Sequence, residues 1–389
     1  MKVMKFGGAV LHNAGGFRQM SAILSSLAVP AVVVVSAFAD STRLLEAAAI
    51  AARDGNQEQS IEIARSVIEN NRRIAYSVLS EEIAADTLGK LIDDCARQLE
   101  NVLRGVAITR QLTDRTLDLI RSFGEFLALH IVRHYLEKSG ISTIAVDAAD
   151  LIVTDNRHGA AEPLVAPTKR RLDRIFPEII AKYRVVVIQG YVARGASGEI
   201  TTMGKESSNL TATLLAEALC ADESVIWTDV QGIFSADPHI VPEAVPIAVM
   251  SLRDAELAAR NGAKPLYATM IEPAQRSGIP IVFRSALRPD GYFTVIGGDQ
   301  DLRPKMITIA SCPDAEGMSA ITLLHITPID ALAALRNIPT ELLGDLFTLE
   351  IGVKPDIQRV ILPAVRANDI VRFFHREIIE PSSITADKP

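Results

Sequence analysis

Cysteine is scarce in this chain: Cys95, Cys220 and Cys312 are the three among 389 residues. Thiols so few and so scattered build neither a disulfide framework nor a zinc site, and an odd number fits a reducing compartment. Long apolar runs are missing too. No stretch approaches the roughly 18 residues that a membrane-spanning helix requires. The opening MKVMKFGG offers only a few apolar positions before two glycines, which is too little for a signal peptide. Nor is there a surplus of positive charge. A net charge of −7 argues against a general nucleic-acid binder, which needs a basic face to replace counterions. A local cluster of lysine and backbone N–H groups can still hold a small anion against that field. These absences predict a soluble, cytoplasmic protein that works on small molecules, with no nucleic-acid or membrane partner.

What is present is an ordinary globular composition, 48% hydrophobic and 22% charged. The length predicts two domains with a real core. Val3–Phe6 reads as a short strand stopping at Gly7 and Gly8, with Lys5 near its carboxyl end. Gly16–Leu27 fits a helix. Ala31–Val35 is an unbroken apolar run of the kind a central parallel strand shows, ending in the polar turn Ser36–Thr42. From Leu44 to about Tyr135 apolar residues recur at three and four, which predicts a long helical excursion. His130 and His134 lie four apart on it, but no glutamate follows the first and no third ligand is near, so packing is expected of them rather than metal binding. Ile141–Val146 and Val185–Gln189 read as further strands, and ARGASGEI as a hairpin turn.

The stretch Glu199–His239 is the one the rest is arranged around. Gly204 leads into a polar loop holding Lys205, Ser207, Ser208 and Asn209, and helix formers follow from Leu210 to Leu219. A polar loop entering a helix is an anion site in waiting, because free N–H groups and the positive dipole end point at one spot. The strand Ser224–Trp227 then ends in Thr228 and Asp229. The carboxyl ends of strands in an open α/β sheet are where ligands sit.

GKESSNLTATLLAEAL and WTDVQGIFSADP resemble, in that order, the substrate-loop and nucleotide-strand signatures of aspartokinases. KFGG resembles that family's opening, SFGE its Gly-Glu pair, and NGAKPLYA its Phe-Gly-Ala-Lys segment. The resemblance implies an α/β amino-acid kinase fold, a three-layer sandwich around a mainly parallel sheet, over residues 1–297. A smaller α+β, ferredoxin-like ACT domain over 298–380 and a flexible tail at 381–389 would follow. It implies transfer of the γ-phosphate of ATP, with Mg²⁺, to the side-chain carboxylate of L-aspartate, a reaction between two anions, and a homodimer in amino-acid biosynthesis. Lys5, Lys205 and Asn209 fall at its catalytic positions. Thr42, Glu125, Tyr191, Lys205, Ser207 and Ser208 fall at those that hold the amino acid. Lys5, Gly7, Gly8, Ser36, Thr228, Asp229, Phe234, His239, Lys264 and Pro265 fall at those that hold the nucleotide. No dedicated protein metal site is expected.

The chain departs from the family at several of these positions. Ala9 and Val10 stand where hydroxyl residues are usual, Lys205 where arginine clamps the α-carboxylate, Glu206 and Ser207 where glycines stand, and Asn209 where an aspartate helps organise cations. Phe234 lacks a tyrosine hydroxyl, and His239 replaces an arginine. Three readings follow: an aspartokinase with altered kinetics, a carboxylate kinase for another small amino or hydroxy acid, or a non-catalytic binding subunit. Lys305–Ser311, Ser319–Ile326, Phe347–Val353 and Gln358–Ala364 read as ACT-like strands, with helices near 329–336 and 368–376. Room for one ACT module, and no glycine in HITPIDA, argue against feedback by an amino acid and leave pairing through an edge strand.

Overall fold

The computed structural model describes residues 1–82, 86–298, 302–312, 315–343, 348–354 and 356–380. The tail expected at 381–389 lies outside them. The chain packs as two units: Met1–Asp229 with Arg284–Asp290, and Val230–Phe283 with the described chain from Gly291 onward.

The first unit is built on five parallel strands in the order β3-β5-β2-β1-β8, where β1 is Lys2–Phe6, β2 Ala31–Val35, β3 Thr143–Val146, β5 Val185–Gln189 and β8 Glu223–Thr228. Every residue of β2 and β5 is buried. Since successive side chains point to opposite faces, the sheet is covered on both. Complete burial of one such valine contributes roughly 1.5–3 kcal/mol. The sequence boundaries of β2 and β5 are therefore met residue for residue. A small second sheet holds β4 (Val153–Thr154), β6 (Val192–Gly195) and β7 (Ile200–Thr202), with β6 and β7 forming the expected hairpin.

Helix α1 (Ala14–Ser25) follows β1. The expected excursion resolves into α2 (Ser41–Arg53), α3 (Gln57–Val78), α4 (Thr87–Thr109) and α5 (Asp114–Lys138). Helices α6 (Val165–Ile180) and α7 (Ser207–Ala218) complete the unit. As expected, the α5 histidines pack: His130 meets the ring of Phe126 edge-on at 4.5 Å, and His134 Nδ1 lies 2.7 Å from the His130 carbonyl oxygen. Burial, with His134 and Arg133 nearby, pushes His130 down to about 4, which keeps it neutral.

In the second unit, β9 (Ile233–Phe234) pairs antiparallel with β10 (Pro246–Ile247), and β11 (Val249–Met250) pairs parallel with β13 (Phe293–Ile296). Helices α8 (Leu252–Arg260) and α9 (Ala268–Ser277) precede strand β12 (Ile281–Ser285). Then come β14 (Met306–Ser311), β15 (Met318–Leu324), α10 (Pro328–Arg336), β16 (Thr348–Lys354), β17 (Ile357–Pro363) and α11 (Ala364–Phe374). The sheet order β14-β15-β17-β16 is antiparallel throughout. That is the ferredoxin-like arrangement with its outer strand supplied from the N-terminal side. Ile307, Ile321, Leu323, Val360, Leu362, Ile370 and Phe374 form its core. No described helix is long and apolar enough to cross a membrane.

The turn after β1 is held under α1. Asn13 caps that helix through Gly15 N–H and Gly16 N–H at 2.8 and 3.1 Å. A Cβ on Gly16 would lie 1.7 Å from the Val10 carbonyl oxygen, a backbone atom that cannot swing away. Gly16→Ala is therefore expected to cost ~3 kcal/mol or more, read as a drop in denaturation midpoint, and an unchanged midpoint would refute this packing.

Candidate active site

Because β1, β2, β5 and β8 run parallel, their carboxyl ends share one edge of the sheet, where α/β proteins bind ligands. Lys5 lies near the end of β1, between Val34 of β2 and Ile226 of β8. Its ammonium folds back over the turn into the space a Gly7 side chain would fill, since a Cβ there would be 2.7 Å from Nζ. Gly7 accepts N–H bonds from Val10 and Leu11 at 3.0 and 3.1 Å. Gly8 sits against the Ala37 carbonyl oxygen, 3.1 Å from where its Cβ would stand. Val10 is buried beneath this turn and Ala9 is exposed. Ser36 and Thr42 flank the matching turn after β2, both partly buried. Thr228 and Asp229 lie at the end of β8, beside β1, where Thr228 Oγ1 donates to Asp229 Oδ1 at 2.9 Å. Lys5 and Asp229 thus stand at the same edge.

Glu125 comes to this edge from α5. Its neighbour Gly124 lets α5 approach so closely that a Cβ would be 3.3 Å from the Ala37 and Ser41 side chains. Glu125 is 3% exposed, and its Oε2 accepts from Ala37 N–H at 2.6 Å. Burial pushes its carboxyl up to about 8, against the pull of the Ala37 bond and Lys5 and helped by Glu206. Burial likewise lowers Lys5 from the ordinary lysine value, opposed by Glu206 and then Glu125. A desolvated cation and a desolvated acid here share one proton-sensitive field.

The polar loop is shorter than the sequence suggests. Helix α7 starts at Ser207, so Ser207, Ser208 and Asn209 form its first turn rather than a loop. Gly204 (φ 88°) and Glu206 (φ 61°) both adopt left-handed backbone, which turns the chain into the helix earlier than side-chain polarity implies. No side chain caps α7. Ser207 and Asn209 are 1% and 3% exposed, and Ser207 Oγ and Asn209 Oδ1 are buried without a hydrogen-bond partner. Buried oxygens are rarely left so, and an incoming donor would satisfy them. Ser208 packs onto Gly190, where a Cβ would come within 2.5 Å of its Cβ. Lys205 and Glu206 are exposed.

Tyr191 is buried in left-handed backbone (φ 68°), its N–H donating to Thr211 Oγ1 at 3.3 Å. Burial raises its hydroxyl above the ordinary value, against a bond to the Thr202 side chain. Beneath it lies a group that motif reading passed over. Asp118, fully buried on α5, accepts from Thr202 Oγ1 at 2.5 Å, Thr202 N–H at 3.1 Å and Gly159 N–H at 2.9 Å, and His158 Nδ1 stands 3.0 Å away. It ties α5 to β7. Seven residues before Glu125, two helical turns on the same face, is the signal that could have found it.

The remaining expected residues belong to the second unit. Phe234, partly buried, packs against the ferredoxin-like core and shares a cavity of about 110 Å³ with Asp237, Lys264 and Ile307. Lys264 is exposed and Pro265 partly buried. His239 is exposed, its Nδ1 3.1 Å from Asp237 Oδ1. Among the described residues no group of three or more His, Cys, Asp or Glu side chains could hold a metal ion.

The profile of the Amino acid kinase family matches residues 1–285. Aspartokinase 1, chloroplastic, of Arabidopsis thaliana is 25% identical over 390 residues, which take in 97% of this chain and 65% of that protein. Lysine-sensitive aspartokinase 3 of Escherichia coli (strain K12) is 30% identical over 302 residues, 76% of this chain and 63% of that one. The chain thus spans just under two thirds of the length of these two relatives. In fold it is similar to the crystal structure of E. coli aspartokinase III in complex with aspartate and ADP (R-state), with a TM-score of 0.82 at 21% identity, covering 98% of this chain and 100% of that one.

The raised Glu125 carboxyl has a consequence for stability. Its folded value lies above its unfolded one, so the protonated form favours the fold, and that contribution is lost as pH rises toward and through about 8. Glu125→Gln, which keeps an acceptor for Ala37 N–H and cannot ionise, is expected to gain on the natural protein by ~3 °C or more between pH 5 and pH 9 in thermal denaturation. A difference that stays constant with pH would refute the assignment.

Proposed function

The chain belongs to the amino acid kinase family, and from that premise we propose that it transfers the γ-phosphoryl group of ATP to the side-chain carboxylate of L-aspartate, giving 4-phospho-L-aspartate. Its relatives carry the name aspartokinase, and the E. coli structure it resembles in fold is a complex with aspartate and ADP. The observation that carries the reading is the Lys5 ammonium, folded over the Gly7–Gly8 turn and held in one field with buried Glu125.

Both reactants are anions, so the protein's task is positioning and charge neutralisation rather than covalent help. Lys5 and the backbone of Gly7 and Gly8 receive the phosphates. Ser36, Thr228 and Asp229 hold the rest of the nucleotide at this edge. Glu125, in its ionised form, takes the ammonium of the amino acid, with Thr42, Tyr191, Ser207 and Ser208 around it and Lys205 at the mouth. The orphaned Asn209 Oδ1 stands ready to accept from Lys5, a water or the substrate. A Mg²⁺ ion fits this site as a companion of the phosphates, since magnesium keeps several waters and needs few protein carboxylates. It would neutralise charge on the transferring group, with Asp229 offering a carboxylate at this edge. Residues 1–297 would then form the catalytic region and 298–380 the ACT-like one, with two copies pairing through its sheet edge. A second reading, another small acid as acceptor, is favoured by Lys205 and Glu206, which put a point charge and a carboxylate where a fork and a glycine are usual.

ATP-dependent hydroxamate formation over a panel of amino and hydroxy acids tests both. Product is expected with aspartate, and Lys5→Met is expected to cut turnover by ~10²-fold or more. Product with another acid alone would replace the acceptor, and no product with any would end the kinase reading. Asn209→Asp restores a carboxylate beside the cations and is expected to raise turnover. An unchanged or lower rate would count against the placement of Asn209.

A further inference from the structure

An amino acid has two charged groups on its α-carbon, and the site as drawn accounts for one of them. Glu125 can take the ammonium. Lys205, at the position of the family's carboxylate clamp, is exposed and offers no fork. A second cation lies on the same helix as Glu125. Arg121 lies one turn before Glu125 on the same face of α5, and residues so spaced are about 5–6 Å apart. That suits a cation and a carboxylate holding opposite ends of one zwitterion. Its side chain is 14% exposed. One arm of the guanidinium is tied to Glu46 at 2.9 Å, and its Nε is buried with no hydrogen-bond partner. Glu46 is one turn beyond Thr42 on α2, so the same pair of helices presents Thr42, Arg121 and Glu125. Tyr191 and Asp118 are both close enough for Arg121 to feel their charge, and with Glu46 they hold it above the ordinary arginine value against the effect of burial.

We propose that Arg121, rather than Lys205, clamps the α-carboxylate of the amino-acid substrate, a bidentate donor relocated from the α7 entry to α5. This rests on the acceptor being an α-amino acid, as proposed above. Arg121 then distinguishes acceptors with a free α-carboxylate from those without one, and the tie to Glu46 keeps the guanidinium aimed. Glu46 takes one hydrogen of Nη2; its other hydrogen, paired with the orphaned Nε–H, makes the side-on fork that the α-carboxylate receives.

The test compares L-aspartate with its α-carboxamide, which keeps the ammonium and the side-chain carboxylate. In the natural protein aspartate is expected to be preferred. Arg121→Met is expected to raise KM for aspartate by about 30-fold or more, leave KM for ATP within about twofold, and bring the two acceptors to near equality. Arg121→Lys should recover part of the preference. Glu46→Gln separates this from a merely structural tie between α2 and α5: it breaks the bridge yet should keep the preference for aspartate. Preference retained in Arg121→Met, or lost equally in Glu46→Gln, would overturn the proposal. If Arg121→Met fails to fold, Arg121→Lys decides, and full retention of preference there overturns it. If the natural protein phosphorylates no aspartate, the kinase reading fails separately. Calorimetric binding of aspartate to the natural protein and Arg121→Met then decides: a loss of affinity supports the clamp, and equal or undetectable binding by both overturns it.

Discussion

Holding a partly buried lysine ammonium at the end of a central strand is the constraint from which the rest of the site follows. A cation so placed is costly unless opposite charge is near. Glu206 provides it from the entry of α7, and Glu125 on α5 adds to it when ionised. Glu125 is itself desolvated and held by the Ala37 N–H, so both groups are displaced from their ordinary proton affinities. An anionic phosphate at Lys5 and a cationic ammonium at Glu125 would relieve both groups at once. The tension between them is a form of preorganisation for a pair of oppositely demanding ligands.

Three separate close approaches aim these groups. Gly124 brings α5 against the turn after β2, Gly190 admits Ser208 at the start of α7, and Gly7 leaves room for the Lys5 ammonium. None of the three needs unusual chemistry from glycine. Each needs only a missing side chain where two elements meet. Asp118 then fastens α5 to β7 through two bonds from Thr202 and to the His158–Gly159 turn through two more contacts, so that the helix carrying Arg121 and Glu125 is fixed at both the sheet edge and the hairpin. The departures at Lys205, Glu206, Ser207 and Asn209 sit on this frame without disturbing it.

The sheet was legible in the sequence because burial on both faces leaves a run of apolar residues with little room for ambiguity: Ala31–Val35 and Val185–Gln189 are strands to the residue. The helical excursion and the ferredoxin-like strands were legible from periodicity, within a few residues at their ends. That Lys5, Thr228 and Asp229 lie at strand ends was readable from local pattern, and the parallel sheet explains why residues so distant along the chain reach one edge. The start of α7 was misjudged, because serine and asparagine look like loop while the left-handed backbone at Gly204 and Glu206 had already turned the chain into helix.

By itself the sequence determined which segments are strands, which are helices, and that a lysine beside two glycines sits near a strand end, since these depend on local composition and period. Only the tertiary structure decided that Ser207 and Asn209 are buried with unmet oxygens, that Glu125 is driven toward neutrality, and that Asp118 and Arg121 belong to the same neighbourhood. Those properties come from desolvation and from contacts between residues tens of positions apart, and neither is a function of the residues' own identity or of their immediate neighbours in the chain.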